Sequence, residues 1–265
     1  MPRSTSGWYG LRMRLDTART LDDGLTERRF TLDVDGATVP GILWTPAGAS
    51  ESAPAPLILL GHPGGLDAMS PRLAGRARRS ARDGFATAAL ELPGSGERAR
   101  LEEVDAARAD LRAALAAGEP VPDDVVDRLV LPLVDRSVPE HRGALDALGA
   151  LPEVGGPAGY SGGIVAIGVR LALVEPRIAA LGLFAGSFLP GTTVDEARRL
   201  TVPVHVLLQW DDEGNDRQAS LDLFDAIGSP EKTLQANLGG HRGVPAFAGE
   251  DAARFFARHL GGRPG

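Results

Sequence analysis

The sequence predicts an α/β fold: a mostly parallel central sheet with helices on both faces and an antiparallel hairpin on its N-terminal side. Two observations carry this expectation. Short apolar runs of strand length, at residues 57–60, 85–92, 178–184 and 204–209, alternate with longer helical patterns. Such alternation implies right-handed crossovers and parallel strands buried on both faces. The 265 residues, 43% of them hydrophobic, suffice for one large domain with its own core.

The elements follow in order. Residues 29–34 alternate around β-formers, Asp35-Gly36 supplies a turn, and residues 38–44 resume the extended pattern, which together read as an antiparallel edge hairpin. A Pro, Ala and Ser segment leads into residues 57–61, a central strand by its unbroken apolar run. Residues 85–92 are extended. Residues 97–139 then form a long insertion, predicted to be two helices roofing the site: Leu101, Val104, Leu111 and Leu115 share one stripe, and Asp123 caps a second helix that Pro132 kinks or ends. A short strand at 156–160, an apolar helix at 163–173 and strands at 178–184, 204–209 and 232–236 complete the pattern.

Composition excludes several function classes. The net charge of −7 is spread over interleaved signs, with no basic stripe for a nucleic acid partner. No cysteine is present, so disulfides, thiolate metal sites and a cysteine nucleophile are ruled out. The N-terminus has no apolar run of signal-peptide length and no stretch is long enough to span a bilayer, so the chain reads as cytoplasmic, with no membrane anchor.

The chemistry centres on Gly159-Tyr160-Ser161-Gly162-Gly163, a G-x-S-x-G pattern between a short strand and an apolar helix. A glycine-rich chain can produce this pattern by accident, and its position gives it weight. On such a turn the serine is strained and exposed, and Gly159 and Gly163 let strand and helix pass closely. Gly61-His62-Pro63-Gly64-Gly65 follows the central strand. Pro63 has no N–H, so the Gly64 amide is the candidate oxyanion donor, with the Gly162 amide as the second.

An acid and then a histidine come after the nucleophile. Gln209-Trp210-Asp211-Asp212-Glu213 lies at the carboxyl end of a strand, and His241 sits in Gly239-Gly240-His241-Arg242-Gly243 after the next strand. His62 precedes the serine, His205 lies within a strand, His141 starts a helix and His259 lies in the last helix, so His241 is the candidate base. His62, Tyr160 and Trp210 flank these groups and are the candidate substrate-binding residues. The acid could be Asp211, Asp212 or Glu213.

On His62-Pro63-Gly64-Gly65, Gly159-Tyr160-Ser161-Gly162-Gly163, Asp212 and His241, the chain resembles the α/β-hydrolase superfamily, closest to compact dienelactone-hydrolase-like serine esterases. Dienelactone hydrolases themselves use a cysteine nucleophile where this chain has Ser161. The resemblance implies the α/β-hydrolase fold and a Ser161, Asp212 and His241 triad that cleaves a small-molecule carboxylic ester, thioester or lactone without metal or organic cofactor. In the family pattern the strand ends in a glycine and the acid comes three residues later; Gln209 takes that glycine's place, which favours Asp212. Acyl transfer by the same triad, or an idle site that serves only as a small-molecule receptor, are the alternatives.

Overall fold

The computed structural model describes residues 12–21, 23–184, 186, 188–241 and 243–261. Residues 1–11, on which part of the leader reading rests, and Arg242 of the histidine motif lie outside the described residues. Among the described residues, ten strands form one open sheet in the order β1-β3-β4-β6-β5-β7-β8-β9-β10, with β2 on the outer side of β3. The N-terminal strands β1 (Arg12–Leu15), β2 (Arg19–Thr20), β3 (Thr26–Val34) and β4 (Ala37–Thr45) are antiparallel, and β4 joins β6 (Ala86–Leu90) antiparallel as well. From β6 onward, β5 (Ala55–Gly61), β7 (Val154–Gly162), β8 (Ile178–Phe184), β9 (Val204–Gln209) and β10 (Lys232–Asn237) run parallel.

The β3–β4 hairpin turns on Asp35 and Gly36, both at positive φ (49° and 80°), which matches the twist of the flanking strands. It is not the sheet's edge as the sequence predicts, because β1 and β2 cover the outer side of β3. That added layer pairs the open N–H and C=O groups that an edge would expose.

Helices cover both faces. On one lie α1 (Leu66–Arg82) and the last helix, α7 (Ala246–Leu260), packed on Ile58, Leu60, Trp44 and Phe85. On the other, α3 (Asp123–Leu148) packs on α4 (Val165–Val174) over Leu57, Leu59, Tyr160 and Leu181. α2 (Glu102–Ala117) packs on α3, while α5 (Gly191–Ala197) and α6 (Arg217–Ala226) fill the β8–β9 and β9–β10 crossovers. No helix among the described residues is long and apolar enough to cross a membrane.

Two local expectations change. α3 runs for 26 residues straight through Pro132 and Pro139, so Pro132 does not end it and His141 lies deep within it instead of starting it. A helix-interior proline costs roughly 3 kcal/mol. Val130, Leu133, Val134 and Val138 lie buried on both sides of the prolines, and each buried side chain returns about 1.5–3 kcal/mol, so the packing outweighs the break. The strand that carries the serine also extends further than 156–160, to Gly162, which moves the turn toward α4.

Candidate active site

The serine side is built on a row of residues in register across four parallel strands: Leu60 of β5, Ser161 of β7, Gly182 of β8 and His205 of β9. Side chains of one row share a face, and this row faces α1 and α7: a Cβ at Gly182 would lie 3.4 Å from Ser161 Oγ and 3.0 Å from the Phe256 ring of α7. Ser161 keeps strand geometry. The left-handed backbone falls on the next two residues, Gly162 (φ 78°) and Gly163 (φ 73°), and α4 starts at Val165. The turn therefore comes one residue later than the sequence reading places it, on glycines, which enter that region without a Cβ penalty. Both motif glycines are needed for space as well. A Cβ at Gly159 would come within 2.8 Å of Phe256, and one at Gly163 within 2.7 Å of the His62 amide nitrogen.

Ser161 Oγ accepts a hydrogen bond from Arg76 Nη2 at 3.0 Å. The same guanidinium donates to Ser161 O (2.6 Å) and Gly61 O (2.9 Å), tying α1 to the ends of β5 and β7. Among the described residues, Arg76 has no carboxylate partner. Burial, with Arg72 and Arg79 nearby, pulls its pKa down to about 10, so it remains charged at neutral pH.

The loop after β5 is pinned from β6. His62 Nε2–H donates to Leu90 O at 2.8 Å, and the Leu66 amide at the start of α1 donates to the Glu91 carboxylate at 3.0 and 3.2 Å. Glu91 thus supplies the cap that Gly65 lacks. Burial drives the His62 pKa down, which keeps that ring neutral.

The base side is built on β9 and β10. Asp212 Oδ2 lies 2.8 Å from His241 Nδ1, and its carboxylate also accepts from Asn215 Nδ2 (2.6 Å) and the Gly214 amide (2.9 Å). Burial works against the Asp212 charge, but the bonds from Asn215, His241 and Gly214 outweigh it and hold the carboxyl below its usual range. Asp211 points elsewhere: its carboxylate accepts from the amides of Gly239 (2.9 Å) and Gly240 (2.9 Å). Gln209 Nε2 donates to Gly240 O at 2.9 Å, a third bond from the end of β9 to the histidine loop. The Asp212 side chain is 4% exposed and that of His241 50%, so the acid is shielded while the imidazole meets the cavity, edge-on to Phe184.

Ser161, Gly162, His241 and Asn215 line one cavity of about 710 Å³. No hydrogen bond joins Ser161 to His241 among the described residues. Leu129, Val130 and Leu133 of α3 line the cavity, so the 97–139 insertion contributes to its wall. Of the other sequence candidates, Tyr160 is buried on the opposite face, edge-on to His141, and His62 is buried behind the loop. Trp210 is 43% exposed and stacks under the Arg217 guanidinium. None of these three, nor Gly64, is among the described lining residues. Arg76, Asn215 and Phe184 escape the sequence reading. The signal for the first is an arginine stripe, Arg72, Arg76 and Arg79, at i, i+4 and i+7 on one face of α1.

No protein-family model matches the chain, and no curated protein does. Solved structures do. A cold-adapted esterase from an Arctic intertidal metagenomic library is 29% identical, with 92% of this chain and 97% of that chain covered and a TM-score of 0.70. An acetyl xylan esterase from Paenibacillus sp. R4 (14% identity, 94% and 89% covered, TM-score 0.64) and a dienelactone hydrolase from Anabaena variabilis (18%, 88% and 98%, TM-score 0.60) share the fold. The open, mostly parallel sheet and these likenesses agree: the chain is built on the α/β-hydrolase fold, in the company of esterases and dienelactone-hydrolase-like enzymes.

Proposed function

We propose that the chain hydrolyses carboxylic esters, or the related thioesters and lactones, through an acyl-enzyme on Ser161. The observation that carries this reading is the Asp212–His241 pair at 2.8 Å, facing the cavity that Ser161 also lines. In the reaction, Ser161 Oγ exchanges its bond from Arg76 for one to His241 Nε2. It attacks the acyl carbon as His241 takes its proton, and Asp212 stabilises the imidazolium. The Gly162 amide, at the cavity wall, receives the oxyanion, the imidazolium protonates the departing alcohol, and water repeats the steps to release the acid. No cofactor enters this scheme, and the likeness to an esterase at 29% identity supports the reaction class.

A second reading, ligand binding without turnover, is favoured by two observations: Arg76 occupies Ser161 Oγ, and the left-handed turn residue is Gly162 instead of the serine. A fluorophosphonate probe separates the two readings, since only a serine activated by a base reacts readily with phosphorus. We expect stoichiometric labelling that Ser161→Ala abolishes, together with p-nitrophenyl ester cleavage. Folded protein that stays unlabelled while a reference serine esterase reacts would leave the binding reading standing.

A further inference from the structure

The cavity is not uniform. The lining from α3 and from the end of β8 onward, Leu129, Leu133, Phe184, Phe188 and Leu189, is apolar. The lining from α1 and α7 makes a second arm, to which α1 contributes Arg72, Arg76 and Arg79. Arg108 also lines the cavity but is neutralised by Asp105 at 2.9 Å. Among the described lining residues there is no aspartate or glutamate.

The three α1 arginines have no carboxylate partner among the described residues. Arg72 and Arg79 make no ion pair among the described residues, and Arg76 has two backbone carbonyls and one hydroxyl for the five N–H donors of its guanidinium. Arg79 lies against Gly249 of α7, where any side chain would collide with it, so the helix yields room for the guanidinium. A second, independent group faces the same arm. His205 is 7% exposed and lines the cavity; its Nδ1 is 2.9 Å from Thr233 Oγ1, and its buried Nε2 has no partner.

Cations that line a cavity without a carboxylate among the described lining residues favour an anion, and guanidinium groups bind carboxylates with strong, oriented hydrogen bonds. The whole chain carries a net charge of −7, so this attraction is local and acts against the overall field. We propose that the arm between α1 and α7 is an anion subsite, which takes the carboxylate of an otherwise apolar ligand through Arg72, Arg76 and Arg79, while the ligand's body lies against the apolar lining from α3 and β8. This concerns binding and does not depend on whether Ser161 turns the ligand over.

Isothermal titration calorimetry with 4-phenylbutyrate and its neutral isostere 4-phenylbutyramide tests it on the full chain. The acid should bind at least about tenfold more tightly than the amide, the difference that one charge-assisted contact supplies. Arg79→Gln should reduce that preference to about threefold or less by weakening the acid far more than the amide. Arg79 is exposed and unpaired, so this variant folds even if Arg76→Gln does not. Equal affinity for acid and amide, binding of neither, or an acid preference that survives both Arg79→Gln and Arg72→Gln would overturn the proposal.

Discussion

The two halves of the candidate site differ in how they are held. On the base side, the histidine loop is tied to the end of β9 by Gln209 and Asp211, and Asp212 adds the bond to the imidazole, so the pair is fully formed at rest. On the serine side, the backbone is just as well anchored, but the hydroxyl is engaged by a guanidinium from another helix. A site can therefore be assembled in its scaffold and still need one hydrogen bond to change before chemistry starts.

The sharpest way to break this comparison is Ser161→Ala. If the serine side supplies the nucleophile, kcat/KM for a p-nitrophenyl ester falls by about 10⁴ or more with the fold intact. An unchanged rate would move the chemistry to the base side alone.

The base side divides next. Asp212→Asn should cost on the order of 10³–10⁴ in kcat, because it removes the charge that orients His241. Asp211→Asn should cost only about tenfold, since its carboxylate holds two loop amides and acts on the imidazole through them. Steady-state kinetics on both variants decides the matter, and a reversed order would reassign the acid.

Acid stability probes the support behind the serine strand. Tyr160 is wedged on His141, whose Nδ1–H donates to Ser137 O at 2.7 Å and whose pKa burial lowers from 6.5 to about 4. Between those values the unfolded chain takes up a proton that the folded chain does not, so this contribution is complete above pH 6.5 and is lost as pH falls toward 4. The loss amounts to roughly 3 kcal/mol, about a hundredfold in the folding constant. Urea midpoints at pH 7 and pH 4.5 should show it, and His141→Leu should flatten the difference.

The smallest effect concerns the cavity wall from α3. Leu129→Ala enlarges the cavity wall and should shift acyl chain-length preference by about tenfold toward longer chains. Leu111 is not among the lining residues, so Leu111→Ala should leave the preference unchanged when both are measured on the same ester series.

Much of the fold was legible because it rests on local pattern. The runs at 178–184 and 204–209 coincide with β8 and β9, and Asp35-Gly36 makes its turn. The course of α3 was not legible, since Pro132 argues locally for a break and only the buried valines around it, a tertiary fact, overrule that. For the site, Asp212 and His241 stand on loops after adjacent parallel strands, so chain order already brings them to one edge of the sheet. Arg76 was invisible as a partner of Ser161: the two are 85 residues apart, and an arginine on an amphipathic helix reads as solvated until the helix is docked. Tyr160 misled for a related reason, because alternation along a strand sends the neighbour of an inward-facing serine to the opposite face.

The bonds from Gln209 and Asp211 to Gly239 and Gly240 have a consequence for anyone editing the gene. They make the tips of β9 and β10 a single cassette in which Asp212 and His241 move together, independent of how the chain continues after Gly243. Added residues between Gly243 and α7 should therefore be tolerated, whereas removing one residue from 238–240 would unpick three attachments at once. Grafted as a pair of strand ends, 204–215 and 232–241, the cassette carries its own alignment with it.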